Sequence, residues 1–241
     1  MIRLSANESA LGTSLKAIKV LNSFTHNLNR YPPQVSDDLI SAIANRYYLD
    51  KKKIILGNGS DELISIISQA FLEPSDEAIY TEFGFLQFPQ AISVAGAKGV
   101  VAKDVNFTAS VDNILSNINK KTKLIFLANA NNPTGTFISK QEVIRLHKSI
   151  PSNILLVYDA AYSEYIKNND YIELNRLAES FNKMSNDLKK QRNQIIIAKM
   201  PGQWRLALAA FGSLRPEKQR RAWWWRCRRD LSYSLANWFV R

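Results

Sequence analysis

The chain has 241 residues, 46% of them hydrophobic, one cysteine (Cys227) and a formal net charge of +11 at pH 7. That length and apolar content suffice for one large domain with a real core. The lone cysteine excludes a disulfide framework, and no apolar run is long enough to cross a bilayer.

In chain order, the opening Met1-Ile2-Arg3-Leu4-Ser5-Ala6-Asn7-Glu8 lacks the apolar core of a secretory signal, so a cytoplasmic location is expected. Leu56-Gly57-Asn58-Gly59-Ser60-Asp61-Glu62 reads as a glycine-flexible loop entering a helix over Asp61–Leu72. Ser60 or Asp61 can cap that helix; alternatively the turn is an anion seat built from backbone amides and the helix dipole. Strands are predicted at Ala78–Thr81, Gly99–Ala102, Leu124–Ala128, Ile154–Tyr158 and Gln194–Ala198. Several are continuously apolar, which suits strands buried on both faces of a mostly parallel sheet. A second helix is expected over Ser139–Ser149 with Ser139 as N-cap, and residues 179–192 read as a polar, helical surface segment. Strand–helix alternation predicts an α/β fold, whose ligands bind at the carboxyl ends of the strands.

Two strand ends carry chemistry. Asn131-Asn132-Pro133-Thr134-Gly135 follows one strand and is, taken bare, a turn sequence. Asp159 closes another apolar run, where an unpaired carboxylate is costly. It is either a loop or capping carboxylate or one that needs a cationic partner. Tyr162 lies three residues on and is either a packing residue or a hydroxyl placed beside Asp159.

The positive charge is uneven. Residues 1–200 carry 17 Lys and 6 Arg against 19 acidic residues, a net of +4; residues 201–241 carry 1 Lys and 8 Arg against 2 acidic residues, a net of +7. All five tryptophans fall in the second stretch, including Trp223-Trp224-Trp225, which fits neither an amphipathic helix nor a half-buried strand. A frame-shifted or fused segment is the favoured reading of residues 201–241. A nucleic-acid or membrane-surface arm and a genuine piece of a small domain are the others, and nucleic-acid partners are disfavoured for want of any binding module.

Taken in order, Asn7-Glu8, Asn29-Arg30-Tyr31-Pro32, Gly57-Asn58-Gly59-Ser60-Asp61-Glu62, Asn132-Pro133-Thr134-Gly135 and Asp159-Ala160-Ala161-Tyr162-Ser163-Glu164-Tyr165 resemble the class I/II aminotransferases of fold type I, in particular the histidinol-phosphate type. The resemblance runs from about residue 3 to about residue 199. It implies a three-layer α/β/α large domain, here incomplete and without the small C-terminal domain. The implied division is an N-terminal arm (1–30), a partial cofactor-binding domain (31–200) and the atypical tail (201–241). It implies pyridoxal phosphate as cofactor and no metal. Gly59, Ser60 and Asp61 would bind the cofactor phosphate, and Phe83 would stack on the pyridine ring. Asn132 and Tyr162 would bond the phenolic oxygen, and Asp159 would keep the ring nitrogen protonated. Tyr31 would reach the phosphate of the partner subunit's site, so a homodimer is implied. The implied reaction moves an amino group between L-histidinol phosphate and 2-oxoglutarate, in histidine biosynthesis. A threonine-phosphate decarboxylase-like enzyme or an inactive remnant are the alternatives.

The lysine that this family uses as its covalent anchor and proton carrier is not recognisable. Aligned by the strand Gln194–Ala198, it falls near Gln203; Lys199 is the substitute candidate, ahead of Lys183 in Ser180-Phe181-Asn182-Lys183. Ala10 replaces the family's early proline, and Ala160 replaces an acidic residue often found after the key aspartate.

Overall fold

The computed structural model describes residues 7–8, 11–31, 37–172 and 176, and the backbone of 194–199 and 206–211. Residues 179–192, Lys183 and the position near Gln203 lie outside the described residues.

Seven strands form one sheet in the order β1-β7-β6-β5-β4-β2-β3. They are β1 (Ile54–Asn58), β2 (Glu77–Thr81), β3 (Lys98–Ala102), β4 (Thr122–Ala128), β5 (Leu155–Asp159), β6 (Gln194–Lys199) and β7 (Leu206–Phe211). All neighbouring pairs from β3 through β6 are parallel, and β7 runs antiparallel to both β6 and β1. The five strands expected from apolar runs are all present. Two were not expected. The stretch read as loop from Leu56 is the second half of β1, and Leu206–Phe211, placed with the tail on composition, joins the sheet.

Alternation along the interior strands builds two cores. On β4 and β5, Ile125, Leu127, Leu156 and Tyr158 face one way, while Leu124, Phe126, Leu155 and Val157 face the other. Because both faces are apolar, both must be covered by helices. Helices α3 (Ser60–Phe71) and α4 (Gln87–Val94) cover the second face with Leu63, Ile64, Ile67, Phe88 and Ile92. Helices α2 (Asp37–Tyr47), α5 (Val111–Ser116) and α6 (Lys140–Ser149) cover the first with Ile43, Val111, Ile114, Val143 and Leu146. In α3 the buried positions 63, 64, 67, 70 and 71 recur at the spacing of one helical stripe. Phe88 stacks on Phe126 with centroids 4.9 Å apart, which anchors α4 to the sheet. The result is the expected three-layer α/β/α arrangement with a mostly parallel sheet.

Helix α1 (Leu15–Phe24) buries no residue; Leu15, Val20, Leu21 and Phe24 are exposed. Among the described residues no helix is long and apolar enough to cross a membrane.

Ser139 caps α6 as expected, its Oγ accepting from the Glu142 N–H at 3.3 Å. Removing that acceptor leaves an amide of the first turn without its partner. Ser139→Ala is therefore expected to lower unfolding free energy by about 1 kcal/mol in urea titration, with no change in the site described next.

Candidate functional site

Sheet topology sets where a ligand can sit. From the carboxyl end of β2 the chain crosses to β3 through α4, on one face. From that of β4 it crosses to β5 through α6, on the opposite face. Strands β2 and β4 are neighbours, so the winding reverses between their carboxyl ends, the point at which such sheets bind ligands. The residues singled out from the sequence fall along this edge: Phe83 after β2, Asn132 after β4, Asp159 and Tyr162 at the end of β5, and Gly59–Asp61 at the end of β1.

Asp159 is the last residue of β5, paired in register with Ala128 and Ile197 and only 5% exposed. One carboxylate oxygen accepts from the Ala161 N–H at 3.0 Å. Burial pushes the carboxyl up to about 6, against that hydrogen bond, and the negative charge of Asp61 pushes it the same way. Among the described residues no Lys, Arg or His pairs with it. The edge thus holds a buried acid acted on by a second acid, a setting that a cation would relieve.

The coupling also places the start of α3 near Asp159. Gly59, not Ser60 or Asp61, is the N-cap residue, with φ +92°, a region that glycine adopts without strain. The N-cap glycine has no side chain with which to cap the first turn; Ser60 Oγ donates to Asp61 Oδ1 at 3.4 Å. Amides at an uncapped helix start favour an anion.

Asn132 and Tyr162 are brought together through a residue to which the sequence assigned no role. Asn7 Nδ2 donates to the Tyr162 hydroxyl at 2.8 Å and to Asn132 Oδ1 at 3.5 Å. The N-terminal segment therefore reaches the site over 155 residues of sequence separation.

Beneath the loop after β4 lies a buried polar knot. Asn129 Nδ2 donates to the Tyr158 hydroxyl at 2.8 Å and to the Ile138 C=O at 3.2 Å, and Asn129 Oδ1 accepts from the Ile138 N–H at 2.8 Å. The Tyr171 hydroxyl donates to the Asn129 C=O at 2.6 Å. Burial pushes the Tyr158 phenol up to about 12, so both tyrosines serve as neutral hydrogen-bonding groups. This knot fixes the segment that presents Asn131 and Asn132.

Phe83, in the loop after β2, is 40% exposed, its ring centroid 5.1 Å from that of Phe107. Tyr31 is 90% exposed. Lys199 ends β6, two residues past Ile197, the register partner of Asp159, and pairs with Ala207. Its backbone is thus on the same edge. Among the described residues no group of His, Cys and acidic side chains could hold a metal.

A helix-covered, mostly parallel sheet with one antiparallel strand and a polar carboxyl edge is a fold shared with solved aminotransferases. The crystal structure of histidinol-phosphate aminotransferase from Sinorhizobium meliloti in complex with pyridoxal phosphate superposes with a TM-score of 0.74 at 21% identity, covering 85% of this chain and 54% of that one. The profile of the aminotransferase class I and II family matches residues 1–197. The chain belongs to that family. Histidinol-phosphate aminotransferase of Paramagnetospirillum magneticum is 45% identical over 171 residues, 71% of this chain and 47% of the relative. That of Pelagibacter ubique is 41% identical over 197 residues, 82% of this chain and 52% of the relative. The chain spans about half the length of the curated relatives it matches.

Proposed function

We propose that this chain binds pyridoxal phosphate at the carboxyl edge and that its ancestral reaction is amino transfer between L-histidinol phosphate and 2-oxoglutarate. One observation carries the reading: a single edge gathers a buried, cation-seeking Asp159, the uncapped turn at Gly59–Asp61, and an Asn132–Tyr162 pair linked by Asn7. These donor and acceptor types fit the group. The amides of Gly59, Ser60 and Asp61 would take the phosphate. Asp159 would hold the proton on the ring nitrogen, Asn132 and Tyr162 would bond the phenolic oxygen, and Phe83 would cover the ring. When bound, the cofactor supplies an electron sink for the α-carbon of an amino substrate. Burial around Asp159 strengthens its hold on the ring proton by excluding water. In the same proposal the chain pairs as a cytoplasmic homodimer, with the exposed Tyr31 reaching the partner's site. Residues 1–30 are the arm, 31–200 the cofactor domain and 201–241 a segment of separate origin, of which Leu206–Phe211 adds a strand to the cofactor domain's sheet.

A second reading is favoured by one specific finding. The family match ends at residue 197, before the position near Gln203 where the anchoring lysine aligns. In this reading the chain binds the cofactor without transferring amino groups. One experiment tests both: titrate the full chain with pyridoxal phosphate, follow absorbance, then reduce with borohydride and map any modified lysine by peptide mass. Saturable binding with the label on Lys199 is expected for the first reading. Saturable binding without covalent label supports the second, and no saturable binding overturns both.

A further inference from the structure

A closed circuit of contacts surrounds Phe83 that cofactor contact alone does not explain. Phe83 sits in the loop between β2 and α4 with its ring part exposed, so packing does little to fix it. Its backbone is held from both sides: the N–H donates to Asp104 Oδ2 at 3.3 Å, and the C=O accepts from Asn131 Nδ2 at 2.9 Å. Asn131 Nδ2 also donates to Thr134 Oγ1 at 2.9 Å, which lies 2.8 Å from Thr136 Oγ1. Thr136 Oγ1 donates to the Phe107 C=O at 2.7 Å, so Thr134 is the donor between the two hydroxyls. The circuit closes through the rings, Phe107 against Phe83 at a 43° tilt.

Phe107 occupies an expensive position. Asn106 and Phe107 form a two-residue turn closed by the Val105 N–H to Thr108 C=O and Thr108 N–H to Val105 C=O bonds, at 2.9 and 3.0 Å. Their φ values are +49° and +59°. A turn with both central residues left-handed favours Asn-Gly, and a bulky ring in the second position is strained. Nor is the ring there to fill the core, since Phe107 is 62% exposed. A strained, exposed aromatic whose carbonyl is tied to the loop after β4 points to a positional role.

We propose that Phe107, with the Asn131–Thr134–Thr136 chain and Asp104, is a positioning device that braces Phe83 as the aromatic wall of the site. It rests on the reading that Phe83 covers the planar ring of pyridoxal phosphate. Asn131 and Phe107 touch no reacting atom; they act through Phe83.

The test uses the full chain labelled with para-fluorophenylalanine, the Phe83 fluorine resonance being assigned with Phe83→Tyr. Phe107→Gly and Thr136→Val are compared with the parent for that resonance without cofactor, for melting temperature and for pyridoxal phosphate affinity. Both variants are expected to shift the Phe83 resonance and to weaken binding roughly three- to ten-fold, the scale of one aromatic contact. Phe107→Gly is expected to do so with an unchanged or higher melting temperature, because glycine suits the left-handed turn. A merely structural Phe107 would lower both together. An unmoved Phe83 resonance in both variants overturns the brace, whatever the cofactor does. A moved resonance with parental affinity overturns the positioning role. A parent chain that binds no pyridoxal phosphate refutes the proposed function instead, and the resonance still decides the brace.

Discussion

Asp159→Asn is expected to make the ligand-free protein more stable near neutral pH while removing its hold on pyridoxal phosphate. The folded carboxyl is raised from an ordinary 3.8 to about 6. A raised acid means that the folded state binds the proton more tightly than the unfolded state. Stability is therefore lost as pH rises from the unfolded value through about 6, and above that window the loss is complete. A shift of about two units corresponds to roughly 3 kcal/mol. Asparagine is uncharged at every pH, and its side-chain carbonyl keeps the bond from the Ala161 N–H. Urea titrations should show the variant more stable by about 2–3 kcal/mol near neutrality. As pH falls to about 3.8, the ordinary carboxyl value, the two proteins should converge. In the proposed function the same change leaves the ring nitrogen's proton without its anion. Truncating one partner of a buried charge pair costs about 2–5 kcal/mol, so affinity should fall at least about thirty-fold. Equal cofactor affinity in the two proteins would remove Asp159 from the site.

Asn129→Ala should be the most damaging single change beneath the site. Its side chain satisfies three buried groups at once, the Ile138 N–H and C=O and the Tyr158 hydroxyl. Each polar group left buried without a partner costs about 1–3 kcal/mol. Tyr171 still donates to the Asn129 backbone, so the segment does not come free altogether. A loss of about 3–5 kcal/mol is expected in urea unfolding, together with weaker cofactor binding because Asn131 and Asn132 follow directly. An unchanged denaturation midpoint would mean that water replaces the amide without cost. Tyr171→Phe is the milder companion, since it deletes one donor and leaves the Asn129 side chain in place.

Much of this was legible in the residues, for physical reasons that differ by element. Leu124–Ala128 and Ile154–Tyr158 announced themselves because a strand buried on both faces cannot hide its apolar run. Asp159 stood out because a carboxylate closing such a run needs a reason to be there. By contrast the end of β1 was read as a loop, since Gly57 lies inside that five-residue strand and Gly59 just after it, and glycine signals a turn on local grounds. Gly57 is tight, not slack: an added Cβ would lie 2.8 Å from Leu63 Cδ2. Strand β7 was masked by its neighbours, because Arg and Trp dominate the composition around Leu206–Phe211. Asn7 and Asn131 stood in sequence motifs without a role, and Phe107 was not singled out. They act through a hydroxyl, a backbone carbonyl and a neighbouring ring that only the folded chain brings within reach.

Strand β7 has a consequence for how this edge comes into being. It is the seam that ties β1 to the rest of the sheet, pairing Ile54 with Ala210 and Ile197 with Ala209. Those first partners are more than 150 residues apart, a strongly non-local pairing. Without the seam β1 has no strand neighbour, and the turn after it is tied to β5 through the packing of α3. The proposed anion seat and cation seat thus share one edge by way of a pairing between residues far apart in sequence.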